Sequence, residues 1–170
     1  MKKNFAKRDR RGMVIYLSAI SMLLAVLSFL FPFVGEASAE GEIFYFDSLK
    51  VVFGGDVEIV SKGYLYSYQF SFNLPFVVIL FVALISIMAA LAGRNSVQNT
   101  GICSLLSLAT TIAFGFVPFI IASTNQSIVE SSLIRGPGFY LAVIFGSLSF
   151  VISAIEFFFC LSYWRKKTAF

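Results

Sequence analysis

Glu156 is the one ionisable residue inside the long apolar stretches of this chain, and it lies in the last of them, Phe139 to Trp164. It precedes Arg165 by nine residues, roughly 13 Å along a helix at 1.5 Å per residue. A lone acid that deep in hydrocarbon costs roughly a few kcal/mol, so its presence asks for a role. A proton or cation site is one such role. A neutral carboxyl that sets helix register or joins protomers is a second, and pairing with a basic residue of another protein is a third. Counting a similar rise in the other stretches brings Ser21 (or Ser18), Ser86 and Ser107 near its depth. A carboxyl hydrogen-bonded to a ring of hydroxyls is therefore expected. No second acid and no base in these stretches completes a proton relay.

A different pattern lies between the first two apolar stretches. Tyr64, Tyr66, Tyr68, Phe70 and Phe72 alternate with Leu65, Ser67, Gln69, Ser71 and Asn73. Period two predicts a strand with five aromatics on one face. Those rings either form the core of a small sheet on the membrane or receive a partner or an extended peptide. Leu49–Phe53, Gly54-Gly55 and Asp56–Val60 read as a hairpin turning at the two glycines, and Ile43–Phe46 as a further strand.

Other chemistries are narrowed by what is missing. There is no histidine, and the two cysteines, Cys103 and Cys160, fall near the ends of their stretches expected on the cytoplasmic side, so no metal site, cofactor or catalytic centre is expected. Both cysteines read as small packing residues. Asp56 and Glu58 share a strand face and read as solvating it. An enzyme is not expected.

These residues need elements to hold them. The chain has 170 residues, 58% hydrophobic and 13% charged, with 21 phenylalanines. A soluble domain could not cover that much apolar surface. The expected organisation is a basic cytoplasmic tail at 1–12, a span at 13–34, an extracytoplasmic β-rich segment at 35–73 and a span at 74–93. A cytoplasmic loop at 94–101, a span at 102–123, an extracytoplasmic loop at 124–138, a span at 139–164 and a cytoplasmic tail at 165–170 complete it. With both termini inside, ten basic residues lie on the inner side and only Lys50, Lys62 and Arg135 on the outer, as the positive-inside rule requires. The net charge of +4 is explained by these flanks, so no nucleic-acid partner is expected. The expected location is the plasma membrane, as a multi-pass protein.

The basic start, the first apolar run and Ala37-Ser38-Ala39 also fit a cleaved secretory signal, although the run is about 22 residues against the usual 7–15. Asn125-Gln126-Ser127 matches a glycosylation acceptor. Each span carries a stripe of small or polar residues at three–four spacing: Ser18, Ser21, Ala25, Ser28; Ala83, Ser86, Ala90, Gly93; Ser104, Ser107, Thr111, Gly115; and Ala142, Gly146, Ser149, Ser153, Glu156, Cys160. Such stripes predict a compact four-helix bundle with the large side chains turned to lipid.

The plan of inner termini, a strand-rich first outer segment and a shorter second one resembles the claudin-like tetraspan architecture over the whole chain, as topology. That family carries a tryptophan–glycine–leucine–tryptophan signature and a cysteine pair in the first outer segment. Here the only tryptophan is Trp164 and that segment has no cysteine, so the paracellular barrier role is not implied. Length and span count are similar to quinone-linked membrane enzymes that make disulfides, but those need outer cysteine pairs. The unstapled outer segment and short tails look like a small bacterial membrane protein. The expected function is that of an interaction, accessory or assembly subunit, or a homo-oligomer, acting through the outer β-segment, with membrane lipid and another membrane or extracytoplasmic protein as partners. The alternative is a small proton- or cation-coupled transporter or channel using Glu156.

Overall fold

Small side chains let helices approach, and the four apolar stretches meet along theirs. The computed structural model describes residues 2–37, 41–92, 97–125 and 133–168. The helices are α1 (Lys2–Leu27), α2 (Ser48–Phe53), α3 (Leu74–Ala92), α4 (Val97–Gly115), α5 (Val117–Thr124) and α6 (Pro137–Thr168). The strands are β1 (Val34–Ala37), β2 (Ile43–Tyr45), β3 (Gly55–Ser61), β4 (Tyr64–Phe70) and β5 (Leu133–Arg135). Three helical segments, Leu74–Ala92, Val97–Gly115 and Pro137–Trp164, are long and apolar enough to cross a membrane, and Val14–Leu30 is a shorter apolar helix.

The small-residue stripes are the buried faces. Ser18, Ser21, Ala25 and Ser28 of the first stretch, Ala83, Ser86 and Ala90 of α3, Ser104 and Ser107 of α4, and Ala142, Ser149, Ser153 and Glu156 of α6 are all buried. Gly115 departs from its stripe and is exposed, and Gly93 lies outside the described residues. Leu17, Ile20, Leu84, Ile85, Leu105, Ile144 and Phe158 point outward, as side chains that need a lipid cover do.

Prolines decide where the first and third stretches stop being helical. The first is helical only to Leu30, through a 3-10 turn, rather than to residue 34. Pro32 disfavours helix at the preceding residue, and Phe31 is extended at φ −103° and ψ 152°. The third breaks at Phe116, because Pro118 has no N–H to give to the carbonyl of Phe114. Val97–Gly101, expected as loop, is the first turn of α4.

The five strands among the described residues lie at one end of the bundle, in two sheets. β1 is the centre of an antiparallel sheet ordered β2-β1-β5, with Gly35 opposite both Tyr45 and Ile134. β3 and β4 form a hairpin in which Gly55 faces Phe70 and Ser61 faces Tyr64. Leu49–Phe53 is a helix, which overturns the expected strand. Asp47 caps it by accepting from the Leu49 N–H at 2.9 Å, and Gly54, at φ 84°, ends it. The glycine pair is thus a helix stop, and the hairpin turns instead at Lys62-Gly63, where φ is 48° and 86°. β1 opens the segment expected to be β-rich, starting one residue early at Val34, whereas β5 comes from a segment expected as a polar loop. β1 follows α1 after the 3-10 turn and Phe31–Phe33, and Ser38 and Ala39 of the cleavage motif lie outside the described residues.

Candidate functional site

Four serines, one from each long helix, meet in the middle of the bundle. Ser18 of α1 and Ser149 of α6 exchange hydrogen bonds: Ser18 Oγ donates to the Ser149 carbonyl at 3.1 Å, and Ser149 Oγ to the Ser18 carbonyl at 3.0 Å. Their hydroxyls are 3.0 Å apart. Ser107 of α4 lies 3.3 Å from Ser149 Oγ, and Ser86 of α3 lies 3.0 Å from Ser107 Oγ. Cys103 stands one turn from Ser107 and donates weakly to the Ser86 carbonyl at 3.9 Å. The resulting chain, Ser18–Ser149–Ser107–Ser86, runs across the bundle rather than along it. In an apolar surround each hydroxyl needs a partner, and here every helix supplies one to its neighbour.

Glu156 is buried, at 6% exposure, but it is not in this layer. It follows Ser149 by two turns, roughly 10 Å along α6. α4 and α6 are antiparallel, with Thr111 against Gly146 and Gly101 against Phe157, so Glu156 lies at the level of Thr100 and Gly101. Cys160 donates toward Glu156 Oε1 at 4.0 Å. The expected ring of hydroxyls around the carboxyl is therefore corrected: Ser86 bonds to Ser107 and Ser107 to Ser149, while Ser21 is buried one turn from Ser18. The misplacement has a physical cause. Counting from chain ends assumed that the helices stop at one level, whereas α4 starts before the third stretch and α6 runs past the fourth.

Loss of the Ser149 hydroxyl is expected to destabilise the bundle by about 1 kcal/mol, because it removes the donor to the Ser18 carbonyl and the link between the Ser18 and Ser107 hydroxyls, each of which keeps one other partner. Ser149→Ala, compared with Ser147→Ala in equilibrium unfolding of the lipid-reconstituted protein, checks this. Equal stabilities would mean that the chain of hydroxyls contributes nothing.

Between the serines and the strands, five phenylalanines fill the bundle. Phe29 and Phe33 stack at 4.4 Å, and Phe76 meets Phe29 edge-on at 4.7 Å. Phe114 and Phe139 close the group at 5.7 Å from Phe29 and 6.4 Å from Phe33. Two asparagines brace the elements above it. Asn73 caps α3 by accepting from the Phe76 N–H at 3.0 Å and donates to Thr124 Oγ1 at 2.9 Å. Asn125 accepts from the Ser71 N–H at 2.9 Å and donates to the Ile121 carbonyl at 2.8 Å. Its amide is buried and engaged, so the acceptor motif noted there does not present its asparagine to solvent. Asn73 before Leu74-Pro75 is a helix-start signature that the sequence carries openly. The five-ring group has no such local signal, since its members are far apart in the chain.

Compared with protein-family models, curated proteins and solved structures, the chain matches none.

The aromatic ladder is divided between packing and exposure. Tyr66 packs on Phe44 at 5.6 Å, and Tyr68 and Phe70 pack on Phe46 at 4.8 and 5.1 Å. Tyr64, at the free end of the hairpin, is exposed, as is Phe72, which lies beyond the end of β4. Phe72 therefore does not share the strand face expected of it. Tyr68 is also tied to β1: burial first, then its hydrogen bond to Glu36 and the charge of that carboxylate, then Tyr66, push its hydroxyl up to about 12 from 10.0. The folded value lies above the unfolded one, so folding favours the protonated phenol. This contribution to stability is complete below the unfolded value and is lost as pH rises through about 12. In an ultraviolet phenolate titration, Tyr68→Phe should remove a step near pH 12 and Glu36→Gln should move that step to lower pH. A titration that Tyr68→Phe leaves unchanged near pH 12 would contradict the contact.

Proposed function

We propose that this chain is a non-enzymatic four-span membrane protein with cytoplasmic termini, whose extracytoplasmic β-cap docks a second polypeptide and so serves as an accessory or assembly subunit. One observation carries the reading. The hairpin end holds Val60, Tyr64 and Leu65 at 74%, 67% and 62% exposure, while the rings nearer the bundle are packed down on Phe46, just after β2. Val60 and Leu65 face each other across the hairpin, so the apolar surface is contiguous. A firmly seated cap with an apolar tip fits a protein partner better than it fits water. The claudin-like tetraspan plan is the architectural reading that accompanies this proposal.

Native mass spectrometry of the protein extracted gently from its own membrane tests it. A second polypeptide at fixed stoichiometry is expected, and Val60→Asp with Leu65→Asp should release it while the bundle stays folded. A lone chain, or an assembly indifferent to the tip, would overturn the reading. A proton or cation path through Glu156 has less support. The hydroxyls run across the bundle, and the five packed phenylalanines obstruct any route toward the cap. Glu156→Gln keeps a neutral hydrogen-bonding side chain, so liposome flux unaltered by it would leave that alternative without a carrier.

A further inference from the structure

The short helix α2 is held between the ends of two long helices. At its start, Ser48 Oγ donates to the Phe31 carbonyl at 2.8 Å and accepts from the Phe33 N–H at 3.0 Å. At its end, the Val52 carbonyl accepts from the Asn73 N–H at 2.9 Å, and Gly54 lies against the backbone at Phe70 and Phe72. Phe31 follows the helical part of the first stretch and Asn73 precedes α3, so α2 spans the level at which both helices end. Its inner side is buried through Ser48, Val51 and Val52. Its outer side carries Leu49 and Phe53, four residues apart and therefore on one face, at 53% and 56% exposure.

These two side chains do not stand alone. Leu30 and Phe31 at the end of the first stretch, and Phe72 and Leu74 at the start of α3, are also exposed, on the segments to which α2 is hydrogen-bonded. They continue the outward apolar surface of the two helices, whose Leu27 and Val78 are exposed in turn. An apolar belt at the level of helix ends has one fitting neighbour, the hydrocarbon–headgroup boundary of the bilayer around those helices.

We infer that α2 is an interfacial anchor, with Leu49 and Phe53 inserted among the lipids where the helices emerge, so that the bilayer itself seats the β-cap. The inference rests on the membrane-span reading and on nothing concerning the protein partner. A helix of this kind sits roughly 5–10 Å into the headgroup–acyl boundary. It fixes the height and tilt at which the hairpin tip is displayed.

The chain's single tryptophan makes the test direct. In a Trp164→Phe background, Leu49→Trp and Phe53→Trp are made separately, with Val60→Trp at the hairpin tip and Val78→Trp on the outward face of α3 as references. Each is reconstituted into phosphatidylcholine vesicles and quenched from the lipid by brominated acyl chains and from the water by iodide. Leu49→Trp and Phe53→Trp are expected to be quenched by shallow bromines, with iodide quenching about fivefold or more below that of Val60→Trp. Iodide quenching equal to that of Val60→Trp would overturn the inference. So would protection from both quenchers, which would mean that protein covers the face. Val78→Trp separates the two readings. If it too escapes the bromines, the span reading itself fails; if it alone is quenched by them, only the anchor fails. Two independent positions keep the result readable when one variant folds poorly.

Discussion

Phe33→Ala is expected to destabilise the protein by about 3–5 kcal/mol, the largest effect of any single truncation at the base of the cap. Phe33 is 1% exposed and stands in an extended segment between the 3-10 turn and β1. Its ring contacts Phe29, Phe76, Phe114 and Phe139, which come from four different parts of the chain. Its N–H is bound by Ser48, so the backbone cannot move into the vacated space without giving up α2. A cavity would remain, and in a lipid-surrounded bundle lost packing is the main term. Phe31→Ala is the comparison: that ring is exposed, and its loss should cost less than about 1 kcal/mol. Unfolding of both variants in lipid nanodiscs decides it. Similar stabilities would mean that the five rings are not a single packed unit.

Gly138→Val is expected to be of similar severity, at least about 3 kcal/mol, through crowding rather than a cavity. A Cβ at residue 138 would stand 2.6 Å from the Phe31 carbonyl oxygen and 2.8 Å from that of Ser28. Both are main-chain atoms and cannot rotate away. The approach is this close because two hydrogen bonds draw the segments together: Gly136 N–H donates to the Phe33 carbonyl at 2.8 Å and Gly138 N–H to the Pro32 carbonyl at 2.9 Å. Forcing the strands of backbone apart should free β5 from β1 and loosen the start of α6. Hydrogen exchange at Leu133–Arg135 should accelerate in the variant before the serine layer is affected. Gly115→Ala is the contrast. Nothing lies within 4 Å of a Cβ there, and the residue is helical, so a neutral result or a gain of about 0.5–1 kcal/mol is expected. Equal losses at the two glycines would refute the close-approach explanation.

Both variants probe contacts that join distant parts of the chain, and this is where sequence reading reached its limit. Composition and periodicity alone determined the apolar stretches, their small-residue faces and the strand at Tyr64–Phe70. Those signals are local: hydrophobic length answers to the thickness of lipid, a three–four spacing to one helix face, and period two to one strand face. The ends of elements were harder: Pro32 and Asp47 mark two of them, yet the first span was read on to residue 34 and Leu49–Phe53 was read as a strand because its valines and the glycine pair suit one. The Asp47 cap and the burial of Val51 and Val52 against the bundle outweighed that propensity.

Only the tertiary structure decided the rest. Pairing between β1 and β5 joins segments about a hundred residues apart, and no local pattern in either announces it. The serine chain depends on the relative sliding of four helices, which is set by the phenylalanine layer and by the close backbone contact at Gly136 and Gly138. A shift of two turns is enough to separate Glu156 from the hydroxyls expected around it. The ladder's two fates were likewise settled by what lies opposite: Phe44 and Phe46 cover its inner rings, and Tyr64 is left exposed by the described residues. Which face a residue occupies is a property of its own element; what that face meets depends on where the other elements come to rest.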